Sequence, residues 1–214
     1  MSNTVPTTDG AAKPVVTLFE TYGSGASYIG PRVAQVLGLP FHGQAFSSQE
    51  IEEAESWREK EGLLSRVVSA MGSSSWGGLD VGDVTAAQRD KYELVMQNNR
   101  TVQDFAREGG VIMGRNGAFI LADRPATLHV KLDGPLEQRI ARAAKDSGID
   151  IARAAKRQVR EDQVRADMSI DLYGWDPRGN DRYDMVLNTG TMNLDACVEI
   201  IVLAYRVESG HRVG

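Results

Sequence analysis

The chain has 214 residues, 42% hydrophobic and 25% charged, with a net charge of −5 at neutral pH. That is ordinary for a globular protein with one sizeable core, and the acidic balance argues against a general nucleic-acid surface while leaving room for a local basic groove. One cysteine excludes an intrachain disulfide, three scattered histidines (His42, His129, His211) lack zinc-ligand spacing, and no run approaches the roughly 18 apolar residues of a membrane span.

Residues 1–13 lack the charged and apolar blocks of a secretory signal and read as a flexible tail, so a soluble cytoplasmic protein is the simplest expectation. Val15 to Phe19 is an apolar, β-branched run, the pattern of a buried strand. Gly23-Ser24-Gly25-Ala26 follows as a turn small enough for close approach, and Ile29, Val33, Val36 and Leu37 then recur at helical spacing up to Gly38. Strand, glycine turn and helix together aim free backbone N–H groups at an anion. The phosphate-loop signature also asks for Lys-Ser/Thr after its second glycine. Gly25 and Gly30 have the glycine spacing but are followed by Pro31-Arg32, and centring the turn on Gly23 to Ala26 puts Ser27 where the lysine belongs. From these residues alone, a phosphate cradle and a plain strand-to-helix turn stand level.

Leu39 to His42 reads as a short second strand or a lead-in. Ser47 with Glu50 forms a capping box before a charged helical region with Ile51, Ala54, Trp57, Leu63, Leu64 and Val67 inward. Residues 71–83 are a long Gly/Ser loop, with Trp76 as a local anchor or a contact residue. A second box, Thr85 with Gln88, opens a helix to about Arg107 whose inner face is Tyr92, Val95, Met96, Val102, Phe105 and Ala106. Val111 to Met113 is a strand running into Gly114-Arg115-Asn116-Gly117. Thr127 to Leu132 is the next, with Lys131 suggesting an end near solvent, and Asp133-Gly134-Pro135 turns into a helix with Pro135 at its first position.

From Pro135 to about Tyr173 the chain is helical and charged, divided at Gly148 and recapped by Asp150. It reads either as a solvated hairpin with internal ion pairs or as a basic lid over phosphate. Residues 174–180 are a turn-rich loop, Tyr183 to Leu187 a last strand, and Asn193 to Val207 a final helix with Leu194, Val198, Ile201, Val202 and Tyr205 inward; Cys197 falls among them as a small core residue. Alternating strands and helices predict a parallel sheet covered on both faces, with ligands beyond the carboxyl ends of the strands. The glycine turn, Gly114-Arg115 and Asp133 all follow strands and converge on that edge.

The ordered set Tyr22-Gly23-Ser24-Gly25, Leu39-Pro40-Phe41, Val111 to Arg115, Leu132 to Pro135, Glu137-x-Arg139, Asp162-x-x-Arg165-Ala166, Tyr173-Gly174-Trp175-x-Pro177 and Tyr183 to Thr189 resembles the cytidylate kinase-like branch of the P-loop nucleoside monophosphate kinases, over about residues 15–206. The resemblance implies a P-loop kinase-type α/β domain over 14–208, with a parallel sheet of about five strands, an acceptor-binding insertion at 43–83, a helical lid at 135–180 and a short C-terminal tail at 209–214. It implies transfer of the γ-phosphoryl of ATP, with Mg2+, to a nucleoside monophosphate or similar small acceptor. Gly23, Ser24, Gly25, Ala26, Ser27 and Tyr28 would hold the nucleotide. Arg115, Arg165 and Asp162 would be catalytic, Arg157 and Arg160 would serve the lid or acceptor phosphate, and Ser24 or Ser27 would offer a hydroxyl to the metal. Partners are then a small nucleotide or phosphorylated metabolite, with no membrane and no nucleic-acid polymer. Three departures stand against the family pattern: Ser27 for a basic residue, Gly43 for an acidic one, and Met113 and Asn116 for carboxylates beside the Gly-Arg pair. They make a catalytically weak, ligand-binding regulatory protein on the same scaffold the alternative, and an interaction domain without a ligand the blandest reading.

Overall fold

The computed structural model describes residues 12–45, 47–49 and 84–208. Glu50 of the Ser47–Glu50 box, the helical region through Val67, the loop at 71–83 with Trp76, residues 1–11 and residues 209–214 lie outside the described residues, as do the side chains of Thr85 and Gln88.

The elements in chain order are β1 (Val15–Glu20), α1 (Ala26–Leu37), β2 (Phe41–His42), α2 (Val84–Glu108), β3 (Gly110–Met113), α3 (Gly117–Ile120), β4 (Thr127–Asp133), α4 (Leu136–Ser147), α5 (Ile151–Tyr173), β5 (Met185–Asn188) and α6 (Leu194–Glu208). Each strand pair is parallel and the order is β2-β3-β1-β4-β5, with β1 at the centre. A parallel sheet needs cover on both faces, and the pleat divides the apolar residues accordingly. Val16, Leu18, Val130 and Leu132 pack with Ile29 and Val33 of α1 and with Cys197, Val198 and Ile201 of α6. On the other face Val15 and Ile112 meet Val102 and Ala106 of α2 and Leu121 after α3.

The helix stops match the punctuation in the sequence. Gly38, Gly148 and Gly174 end α1, α4 and α5 in the left-handed conformation, and Asp150 accepts the Arg153 N–H at the start of α5 (2.8 Å). Pro135 is the N-cap of α4 rather than its first residue.

Three further expectations change. Tyr92 is 64% exposed, and Leu94 is buried instead, against Met168 and Leu172, because α5 lies on that side of α2 and sets which stripe is inner. Lys131 is 3% exposed rather than near solvent. It lies on the same pleat face as His129, where its Nζ donates to Arg178 O (2.6 Å) and Asn180 Oδ1 (3.0 Å), so a buried ammonium pins the 176–183 loop to the sheet. The α4–α5 hairpin is a solvated face only in part: Arg153 and Lys156 are exposed and Arg165 pairs with Glu161 within α5, but Arg139, Arg157 and Glu161 are buried, Glu161 to 1% exposure.

Candidate active site

The site is built from β1 outward. Glu20 closes the strand, and Gly25, left-handed at φ 87°, is the N-cap of α1. Gly23, at φ 80°, presses against the backbone carbonyl of Arg139, which a Cβ at that position would strike. Gly23→Ala is therefore expected to lower stability by about 1–3 kcal/mol, from positive φ and lost clearance together; a denaturant midpoint equal to wild type would contradict it.

The loop is held mostly by side chains of the hairpin. Tyr22 N–H donates to Asp162 Oδ1 (2.6 Å), and Arg139 Nη1 donates both to Tyr22 O (2.9 Å) and to Asp162 Oδ2 (3.0 Å). Arg142 Nη1 donates to Gly23 O (2.9 Å) and its Nη2 to Thr189 O (2.5 Å), joining the loop to the residue after β5. Ser24 is fully buried, with its Oγ 2.8 Å from Thr21 Oγ1, which donates in turn to Asp133 Oδ1 (2.7 Å). Asp133 and the glycine turn thus meet as the strand ends suggested. Ser27 is exposed on the first turn of α1. Tyr28 Oη donates to Asp195 Oδ1 (2.6 Å), with the Arg32 guanidinium on its ring.

Beside the loop lies a cavity of about 260 Å3 lined by Glu20, Gln44, Asn98, Arg115, Asn116 and Arg165 among others, over an apolar floor of Leu94, Met168 and Leu172. Arg115 and Arg165, far apart in sequence, line the same space. Arg115 and Asn116 are left-handed at φ 56° and 57°, an uncommon conformation for side-chain-bearing residues. Asn98 Nδ2 donates to Arg115 O (2.9 Å) and to Tyr173 Oη (2.8 Å), and Ser169 Oγ donates to Asn116 Oδ1 (2.5 Å), so α2 and α5 hold that turn in place. Arg165 Nη2 donates to Glu161 Oε2 (2.9 Å) and lies 3.5 Å from Gln44 Oε1. Arg157 and Arg160 are also on α5 but do not line the cavity.

The titratable groups are tuned by burial. It pushes the Arg115 guanidinium below its ordinary value. It pushes the Glu20 and Glu161 carboxyls above theirs, against the opposing pull of Arg165 on both. Glu20 also accepts the Ala26 N–H on Oε2 (3.0 Å) and the Gln44 amide on Oε1 (3.0 Å).

Glu20, Gln44, Asn98 and Ser169 are the site residues that motif reading passed over. Only Glu20 had a signal: it stands five residues before Gly25, at the place of the first glycine in the phosphate-loop signature. In that register Ala26, rather than Ser27, takes the lysine position, and Ser27 stands at the hydroxyl position. The exposed Ser27 hydroxyl fits a donor triphosphate, but the Ala26 N–H becomes available only if Glu20 withdraws. Among the described residues no cluster of three or more His, Cys, Asp or Glu side chains is placed to hold a metal ion, and none of their helices is long and apolar enough to cross a membrane.

Residues 15–191 match the cytidylate kinase-like family. A cytidylate kinase of Methanopyrus kandleri is 28% identical over 181 residues, covering 80% of this chain and 92% of that protein. A uronate isomerase of Corynebacterium glutamicum is 36% identical over 133 residues, 61% of this chain; the match spans only 26% of that longer protein. A solved structure of an uncharacterized protein from Eubacterium ventriosum shares the fold, with TM-score 0.62 at 15% identity over 90% of this chain and 98% of that one. Because the family match runs from β1 through the glycine turn and the charged hairpin to the residues after β5, the chain, a five-stranded parallel α/β fold, belongs to the cytidylate kinase-like family.

Proposed function

We propose that the protein is a phosphotransferase that moves the γ-phosphoryl of ATP to a nucleoside monophosphate or similar small anionic acceptor. The observation that carries this reading is the placement of Arg115 and Arg165 on one cavity that Glu20, bonded to the Ala26 N–H of the glycine turn, also lines. Two guanidiniums in a half-buried space bind an anion by paired, charge-assisted hydrogen bonds and offset charge on a transferring group. ATP would supply the phosphoryl group, and Mg2+ would rest on phosphate oxygens and the Ser27 hydroxyl, since the Ser24 hydroxyl is tied to Thr21. Arg139, Arg142 and Asp162 position the loop, and the hairpin carrying Arg157 and Arg160 would act as the lid.

The test is ADP release from Mg-ATP with a panel of ribo- and deoxynucleoside monophosphates, extended to hexuronates because one relative's name concerns uronates. Turnover with any member above the ATP-only rate is expected; none, in folded protein, would overturn the reading. A catalytically weak binding protein is the second reading. It is favoured by one observation, that loop N–H groups are taken by the chain's own carboxylates while no lysine follows Gly25. Such a protein would bind its ligand in the cavity without turnover.

A further inference from the structure

Ala26 is the first residue of α1, so its N–H is one of those the helix leaves unpaired and a donor phosphate would take. Here it is paired with Glu20 Oε2 (3.0 Å). The same carboxylate faces the acceptor cavity, where its Oε1 accepts from Gln44 Nε2 and where Arg115 and Arg165 also stand. Glu20 therefore belongs to both halves of the site. A carboxylate at this junction repels an acceptor phosphate and suits an acceptor hydroxyl, which can donate to it. The two arginines on the same cavity supply the opposite preference, for an anion.

We propose that the acceptor is a hydroxy acid or sugar acid whose anionic end binds Arg115 and Arg165 and whose hydroxyl donates to Glu20, and that this hydrogen bond draws the carboxylate off the Ala26 N–H and opens the loop to the nucleotide. This rests on the phosphotransferase reading and narrows its acceptor. Free protein then holds nucleotide weakly, and acceptor and nucleotide bind cooperatively because each favours the same displaced state of Glu20.

Acidification mimics the acceptor. The groups facing Glu20 are Arg165, Glu161 and Asp162 of α5 together with the Ala26 N–H; burial outweighs the cation and the N–H, so Glu20 takes up a proton at higher pH than an exposed glutamate. The ionised competitor exists above that raised value and is lost as pH falls through it. Nucleotide affinity of the free wild-type protein, relative to Glu20→Gln, is expected to rise in that direction.

The experiment is calorimetric titration of ADP into wild type, Glu20→Gln and Glu20→Ala, alone and with saturating glucuronate, galacturonate, gluconate, glycerate or CMP. Gln preserves the shape of the side chain, and the wild-type pH series needs no variant at all. Both variants are expected to bind ADP about tenfold more tightly than wild type, the scale of one lost competing charge-assisted contact. At least one sugar or hydroxy acid should produce a similar gain in wild type and none in Glu20→Ala. Equal ADP affinity in all three proteins, or enhancement by CMP alone, would overturn the proposal. Turnover of CMP with no effect of Glu20→Gln on ADP binding would remove it and leave the phosphotransferase reading standing. Acceptor-enhanced ADP binding without turnover would uphold Glu20 as the link and remove the phosphotransferase instead.

Discussion

Arg115→Ala is expected to cut turnover of the best acceptor by about a hundred- to a thousandfold, the usual cost of losing one preorganised charge-stabilising group, while the folded state survives. Among the described residues, the guanidinium makes only one long hydrogen bond, from Nε to Gly43 O at 3.4 Å, and lies 5.7 Å above the Phe105 ring. Among those residues its Nη1 and Nη2 groups have no partner, as an anion-binding role requires. The conformation of the turn is secured through the Arg115 carbonyl, by Asn98, and not through the side chain that the substitution removes. Arg115→Lys should recover only part of the loss, because a point charge lacks the planar fork that holds two anionic oxygens at once. The readouts are acceptor affinity and kcat/KM beside a melting curve. Unchanged acceptor affinity in Arg115→Ala would remove the role given to this residue, and a collapsed melting curve would show the role to be structural.

The second large effect is on stability. Asp162→Ala should cost about 2–3 kcal/mol, because it takes from a buried guanidinium the nearer of its two carboxylates, leaving Asp133 at 3.8 Å, and leaves the Tyr22 N–H unpaired. Arg139 is nearly enclosed and reaches Asp162 at 3.0 Å, and the other Asp162 oxygen accepts the Tyr22 N–H. Alanine would orphan the Tyr22 N–H, leave Arg139 with only Tyr22 O, Gly134 O and the more distant Asp133, and remove a tie between α5 and the glycine turn. Asp162→Asn keeps the size and one acceptor oxygen, so it should lose distinctly less. Denaturant unfolding of the two variants checks this. A cost below about 1 kcal/mol for alanine would mean that the pair is as weakly coupled as an exposed surface ion pair.

The two expected effects rest on features legible to different degrees in the sequence. Gly38, Gly148, Asp150 and Gly174 marked their helix ends in advance, since capping and positive φ are local requirements that a few adjacent residues satisfy. The apolar face of α6 was legible for the same reason: its spacing is a property of the helix itself. Tyr92 and Leu94 show where local reading stops. Both lie on one helix, and the position of α5, decided by contacts across the fold, determines which is buried. Lys131 was misplaced in the same way, because charge suggests solvent until a loop about 50 residues later supplies carbonyls for its ammonium.

The sequence by itself determined the alternation of strands and helices, the edge at which the glycine turn, Arg115 and Asp133 converge, and the family, because backbone preference, hydrophobic period and motif order are all written along the chain. Only the tertiary structure decided that Arg115 and Arg165 share a cavity, that Asp162 ties the hairpin to the loop, and that Glu20 holds the Ala26 N–H. Those are pairings between groups distant in sequence or, for Glu20 and Ala26, across a turn whose geometry is set from outside by Arg139 and Arg142. Hydrogen bonds and ion pairs depend on distance and direction in space, and no spacing along a chain specifies either until packing has fixed both partners.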